Sequence, residues 1–219
     1  MQVVIIGSGN VAAVLGRLLV KNKHKVLQVI SRHADHAKVL ADEFNCSFGD
    51  MNGKINNDAD IYIVAISDGA LYGLQNKLQL GKKLIVHTAG SVPLDVLKDI
   101  SGNYGVLYPL QSLRSELKDI NEIPFLIDGN TPETLKMIED LANSISAKVV
   151  KATDEVRLKL HVAAVVVSNF SNHLFALAEE FCQKEHVDFK LLTPLIVETA
   201  NRTITQSPND MQTGPAVRN

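Results

Sequence analysis

The chain has 219 residues, 46% of them apolar and 21% charged, and a net charge of −2. Those proportions describe a globular protein with a substantial core, and they exclude a chain built to grip a polyanion or an acidic membrane surface. Cys46 and Cys182 show neither metal-ligand spacing nor a disulfide framework, so a cytoplasmic chain with two ordinary thiols and no metal site is expected.

In chain order, Gln2–Ile6 is a short β-branched run that predicts a buried strand. It has no basic flank and breaks at Gly7-Ser8-Gly9, which marks a strand and turn rather than a signal peptide. Val11–Val20 has helical periodicity. Lys25–Ile30 predicts a strand, Ala34–Phe44 a helix, Asp60–Ile66 a strand, Ala70–Leu78 a helix and Lys83–His87 a strand. Val92–Leu97 begins a short helix with Pro93 early, where proline is tolerated. Tyr104–Tyr108 and Pro124–Ile127 are further strands. Thr131–Ser144 is a helix, with Thr131 as N-cap and Pro132 at the first helical position, and Lys148–Val150 is a last strand. Beyond Thr153 the strand signals stop. Asp154–Glu185 reads as one long helix and Phe189–Thr205 as a second, with Pro194 in its first turns or kinking it. No uninterrupted apolar run reaches the roughly 18–20 residues of a membrane span; the longest candidate lies around Val162–Val167.

Strands alternating with helices predict an α/β fold: a Rossmann doubly wound parallel sheet over residues 1–152, followed by a smaller all-α domain over 153–219. The ending Thr213-Gly214-Pro215-Ala216-Val217-Arg218-Asn219 reads as a linker into a further element, so a truncated C-terminus is expected.

Gly7-Ser8-Gly9-Asn10-Val11-Ala12 fits G-x-G-x-x-A, a variant of the dinucleotide fingerprint, in the strand–turn–helix context it requires. Gly7 allows the sharp turn, and Gly9 lets the pyrophosphate approach backbone. Ala12 keeps helix and strand close, and the helix N-terminus faces the phosphates. The end of the second strand carries Ser31-Arg32-His33 and no acid. A carboxylate there would suit the ribose 2′-OH of NAD, whereas a hydroxyl and a guanidinium suit a 2′-phosphate. NADP is therefore the expected cofactor, NAD the less favoured one, and the bland alternative is that Arg32 is a solvated charge. Two further strand exits, Ala65-Ile66-Ser67-Asp68 and His87-Thr88-Ala89-Gly90-Ser91, supply small residues and hydroxyls for the cofactor side. Ile66, Ser67, Thr88 and Gly90 are the candidates there. Asp68 either caps the next helix or meets ligand, and His87 reads as a satisfied core histidine.

At 100° per residue, Arg157, His161, Ser168 and Asn172 fall within about 60° of one another, on a helix whose other faces are largely apolar. A narrow polar stripe on a buried helix needs a cofactor cleft, a partner helix or a wet pocket. The alternative is a solvated outer face. Within the stripe, His161 is the best proton donor or acceptor. Asn172 and Ser168 can orient a carbonyl or imine, with Asn169 beside them. Lys159 is a rival acid, but it points away from His161.

Together, Gly7–Ala12, His87-Thr88-Ala89-Gly90-Ser91, Tyr108-Pro109-Leu110-Gln111, Leu160-His161-Val162-Ala163-Ala164-Val165, Ser168-Asn169-Phe170 and Thr213-Gly214-Pro215-Ala216 with Arg218 give the whole chain a resemblance. It resembles the Rossmann-like NADP oxidoreductases with a C-terminal domain of unknown function, labelled deazaflavin-coenzyme-dependent. It is more distantly similar to pyrroline-5-carboxylate reductase, ketopantoate reductase and 3-hydroxyisobutyrate dehydrogenase. The resemblance implies an NADP-binding domain, a helical dimerisation domain giving a homodimer, and a site between them that includes His161 and Asn169. The sequence departs from it at Tyr108, where a histidine before Pro-Leu-Gln is expected. It also lacks a Gly-x-x-x-Lys signature of the hydroxyacid dehydrogenases. The expected function is hydride transfer between NADP and a small carbonyl, imine or hydroxy acid. A dinucleotide-binding sensor without turnover is the alternative.

Overall fold

The computed structural model describes residues 1–116 and 122–213, so the Gly214–Arg218 part of the C-terminal motif lies outside the described residues. The chain forms two compact units, Met1–Val165 and Val166–Asn219.

The first unit is built on β1 (Gln2–Ile6), whose Val3, Val4, Ile5 and Ile6 are all fully buried. A strand covered on both faces belongs at the centre of a parallel sheet. β1 accordingly pairs in parallel with β2 (Lys25–Ser31) and with β4 (Ile61–Val64). β3 (Ser47–Asp50), β5 (Gly81–His87), β6 (Ser101–Pro109), β7 (Phe125–Gly129) and β8 (Val149–Lys151) complete eight strands in the order β3-β2-β1-β4-β5-β6-β7-β8. β7 runs antiparallel to β6, and β8 runs parallel to β7. Alternation along β1 divides the core. Val3 and Ile5 pack with residues of α1 (Asn10–Lys21), α2 (Ala34–Phe44) and α4 (Pro132–Ile145); Val4 and Ile6 pack with Tyr62, Leu71 and Ile85 on the other face. Each fully buried aliphatic side chain contributes about 1.5–3 kcal/mol.

The doubly wound sheet is as expected, with local differences. β3 escapes a reading by hydrophobicity because Ser47-Phe48-Gly49-Asp50 is an edge strand held by pairing to β2, and Phe48 is exposed. The helix expected over Ala70–Leu78 is instead a single turn, α3 (Asp68–Leu71), followed by a 3₁₀ turn at Leu74–Asn76. Gly73 separates the two, as a poor helix former does. Val92–Leu97 is likewise a 3₁₀ turn over Leu94–Leu97, with Pro93 at its N-cap. At α4 the Thr131 side chain accepts the Thr134 N–H at 3.1 Å, and Pro132 stands at the start of the helix, as its sequence requires.

After β8 come α5 (Asp154–Ala164), a π-helical segment at Val165–Phe170 and α6 (Ser171–Lys184). A 3₁₀ turn at Phe189–Leu192 and α7 (Thr193–Arg202) follow, with Pro194 in the first turn of α7. The helix expected over Asp154–Glu185 is present, but two features of that reading are corrected. A π segment does not keep the 3.6-residue period, so the angular grouping of His161 with Ser168 and Asn172 does not carry through it. The helix is also not buried: Val162, Val167 and Phe181 are 56%, 74% and 63% exposed. Asp154–Lys184 is long and apolar enough to cross a membrane by length and composition. A single such helix is a weak sign. Counting uninterrupted runs misses it because Ser168, Asn169 and Asn172 interrupt the run without adding charge. In the second unit, Cys182 is the one buried hydrophobic residue among those described.

Candidate cofactor and catalytic site

A cleft of about 1010 Å³ opens at the carboxyl ends of the strands of the first unit. The connections reverse direction between β1 and β4, which is where such sheets bind ligands. Gly7 makes the turn out of β1 with φ +131°, and a Cβ there would stand 2.0 Å from the Ala65 carbonyl oxygen. Only glycine fits. Its N–H donates to the Ile30 carbonyl at 2.7 Å. α1 starts at Asn10 with Gly9 as N-cap, and no side chain caps it. The first intrahelical bond shown there runs from the Ala13 N–H to the Gly9 carbonyl at 3.0 Å. The N–H groups before it therefore have no acceptor within the helix. A Cβ added to Gly9 would meet nothing within 4 Å. The backbone there borders open space, as a cradle for a diphosphate must.

The cleft has two chemically different ends. Near β2 and β3 it is lined by Ser31, Arg32, His33, His36, Met51 and Asn52. The Ser31 hydroxyl is folded into the turn: it donates to the His33 carbonyl at 2.8 Å and accepts the His33 N–H at 3.3 Å. Arg32 is exposed and points no side-chain hydrogen bond at the described protein.

Near β5 and β6 the lining is Thr88, Ala89, Gly90, Tyr108 and His161. The Tyr108 hydroxyl lies 2.8 Å from His161 Nδ1. A Cβ on Gly90 would come within 2.5 Å of Nδ1 and 2.9 Å of Tyr108 Cζ, so α5 brings its histidine down onto a glycine left bare for it. Burial, with Asp68 nearby, pushes the Tyr108 hydroxyl above its usual range. Asp68 is the first residue of α3 rather than its cap, and its Oδ2 accepts from the Ser91 hydroxyl at 2.5 Å. Ser67 precedes it with its side chain free of any capping bond, and Ile66 also lines the cleft. The Thr88 hydroxyl donates to the Val64 carbonyl at 3.2 Å.

Behind this wall lies a buried polar cluster. His87 is fully buried; its Nδ1 accepts the Ala89 N–H at 3.2 Å, and among the described residues Nε2 has no partner of good hydrogen-bond geometry. The expected core histidine is thus in the core and hydrogen-bonded on its Nδ1 side. Desolvation, with Arg157 adding repulsion, drives its pKa down to about 4 and keeps it neutral. Arg157, 1% exposed, donates through Nη2 to the Val92 carbonyl and to Asp154 Oδ1, and Asp154 accepts the Leu94 N–H at 3.0 Å. The Arg157–Asp154 pair thus ties the chain after Gly90 to the helix that carries His161.

All the residues expected on the cofactor side, Gly7, Ser8, Gly9, Asn10, Val11, Ser31, Arg32, Ile66, Ser67, Thr88 and Gly90, border this one cleft together with His161. Asn169 lies in the π-helical segment and Asn172 in α6, both exposed and both in the second unit. Lys159, the rival acid, is paired with Glu155 on the surface.

Two family models match the chain. Residues 2–90 match the model described as NADP oxidoreductase, coenzyme F420-dependent, and residues 123–219 match a domain of unknown function, DUF2520. A solved structure from Bacteroides fragilis, assigned as an NADP oxidoreductase, shares 36% identity at a TM-score of 0.92, over 99% of this chain and 85% of its own. This chain belongs to that NADP oxidoreductase family. A Streptococcus pyogenes 1-pyrroline-5-carboxylate reductase (17% identity, TM-score 0.76, covering 99% and 86%) shares the fold. So does a Thermotoga maritima protein (23% identity, TM-score 0.73, covering 97% and 83%). No curated protein matches.

NADP is the cofactor of this family, and the residues present fit it. The open space beside Gly9 faces bare backbone, and Arg32 stands at the β2 exit, where Ser31-Arg32-His33 carries no acid of its own. Sequence reasoning missed Met51 and Asn52, which follow the unrecognised β3. It gave no role to His33, His36 or Lys77, and it left Tyr108 in doubt. The Tyr108–His161 pair spans 53 positions, and no local pattern announces it.

Proposed function

We propose that this NADP-dependent oxidoreductase moves hydride between the nicotinamide and a small carbonyl, imine or hydroxy-acid carbon. His161 handles the proton at the substrate's oxygen or nitrogen. The observation that carries this reading is the hydrogen-bonded Tyr108–His161 pair at the β5–β6 end of the cleft whose other parts form the dinucleotide cradle. NADPH, when bound, supplies the hydride. The protein's own residues do the rest. The Gly7–Val11 backbone holds the diphosphate, and Arg32 with the Ser31 turn receives the 2′-phosphate. Ile66, Ser67, Thr88 and Gly90 leave room for the nicotinamide ribose. Asn169 is the further substrate-binding residue that the resemblance implies. The name of the Streptococcus relative, a reductase of a cyclic imine, supports a substrate of this size and type.

The reading includes a homodimer formed through the helical unit. The exposed Val167, Phe181, Leu191 and Leu195 there form the kind of apolar surface that a partner covers. It also includes a cytoplasmic location, for which the two free thiols fit a reducing compartment.

The test is NADPH oxidation, followed by absorbance, against a panel of small carbonyls and imines for wild type and His161→Ala. Loss of general acid–base help lowers kcat by about 100-fold or more. Equal turnover in both proteins removes His161 from the reaction. Tight NADPH binding with no turnover on any substrate supports a sensor instead.

A further inference from the structure

The Tyr108–His161 pair carries more than proximity. A phenol O–H can donate or accept, and a neutral imidazole carries its proton on either nitrogen, so two arrangements of the pair exist. Among the described residues, the Tyr108 hydroxyl has no other protein partner, and only donation to Nδ1 gives its proton a protein acceptor. Burial and Asp68 both favour the protonated phenol, so that proton stays in place. The Nδ1 side of the ring is closed by Tyr108 and by the backbone at Gly90, where even a methyl group would collide. The two rings meet edge to face, with centroids 5.8 Å apart. Nε2 is the ring nitrogen with no protein partner among the described residues.

We propose that Tyr108 is a positioning residue: its O–H donates to His161 Nδ1 and holds the singly protonated imidazole as the Nε2–H tautomer, which meets the substrate as a hydrogen-bond donor, whereas transfer of a proton from His161 starts from the doubly protonated ring, in which Nδ1–H donates to the Tyr108 oxygen instead. This rests on the proposed placement of the reaction at the β5–β6 end of the cleft, and it narrows that reading. The group bound beside His161 carries an acceptor lone pair, as a carbonyl oxygen or a neutral imine nitrogen does. An ammonium group, which has only donors to offer, is disfavoured there.

The test is a long-range ¹H–¹⁵N correlation spectrum of the intact ¹⁵N-labelled protein without cofactor, for wild type and Tyr108→Phe. In wild type, His161 is expected to show a protonated Nε2 and an unprotonated Nδ1. In Tyr108→Phe, loss of one hydrogen bond shifts the tautomer ratio roughly fivefold towards Nδ1–H. A wild-type Nδ1–H, or an unchanged ratio in the variant, overturns the proposal. If Tyr108→Phe does not fold, the wild-type spectrum decides alone. NADPH titration of the same samples separates the two readings. Binding of NADPH with the wrong tautomer defeats only the role of Tyr108. The right tautomer in a protein that retains no NADPH defeats the site reading instead.

Discussion

The two compact units treat their apolar residues in opposite ways. In the first, the aliphatic residues of β1, β4 and β5 disappear beneath helices on both faces of the sheet, and even Arg157 and His87 are drawn inside. In the second, Val167, Leu191, Leu195 and Ile204 stand 74%, 76%, 63% and 79% exposed, and the helices present their aliphatic side chains outward. A sheet covered on both sides completes its own core. A few helices with, among the described residues, one buried hydrophobic side chain do not, and exposed apolar surface of that kind marks a place where something else binds. The cleft is lined by residues of the first unit alone, whereas the second carries the exposed apolar side chains that the proposed dimer would use.

The strongest way to break that contrast acts on the cradle. In Gly7→Val, a branched side chain is forced into the Ala65 carbonyl at a positive φ. Backbone strain and overpacking together weaken NADPH binding by about 100-fold or more, as fluorescence titration reads it. The oligomeric state should not change, and undiminished binding would show that the turn at Gly7 is not the phosphate site. The complementary change lies in the second unit. Phe181→Glu, placed on an exposed aromatic residue, is expected to weaken self-association by roughly 30-fold, measured by sedimentation, with NADPH affinity unchanged. A wild type that sediments as a monomer at all concentrations would remove the dimer from the proposed function.

Acid sharpens the comparison, because it acts on the buried interior of the first unit. His87 has a folded pKa of about 4 against 6.5 in the unfolded chain. Between those values the unfolded chain binds the proton and the folded one does not. Stability is therefore full above pH 6.5 and falls as pH drops towards 4. The loss between pH 7 and pH 5 is about 2 kcal/mol, measurable by urea denaturation. It should be absent in His87→Gln, and a loss of the same size in that variant would assign it elsewhere. The smallest expected effect is at the far end of the cleft. Arg32→Ala should lower NADP affinity by about tenfold through one charged contact and leave NAD affinity nearly unchanged. Equal weakening of both would mean that Arg32 does not read the 2′-phosphate.

Much of this protein follows from short stretches of chain. The unbroken aliphatic run at Val3–Ile6, the glycines at 7 and 9 and the onset of helix at Asn10 depend only on neighbours a few residues apart, and the Thr131–Pro132 cap is as local. Periodicity and turn chemistry act at that range, which is why the doubly wound sheet, the cofactor loop and the Arg32 end of the cleft were legible in the residues. β3 was not, because an edge strand with a polar sequence exists only by pairing with β2. Tertiary structure alone decided that Tyr108 meets His161 across 53 positions, that His87 is drawn fully into the core beside Arg157, and that the long helix after Thr153 shows its apolar residues to the outside. Each of those depends on what lies across space from a side chain, and a sequence specifies that only through the complete set of strand pairings and packed faces.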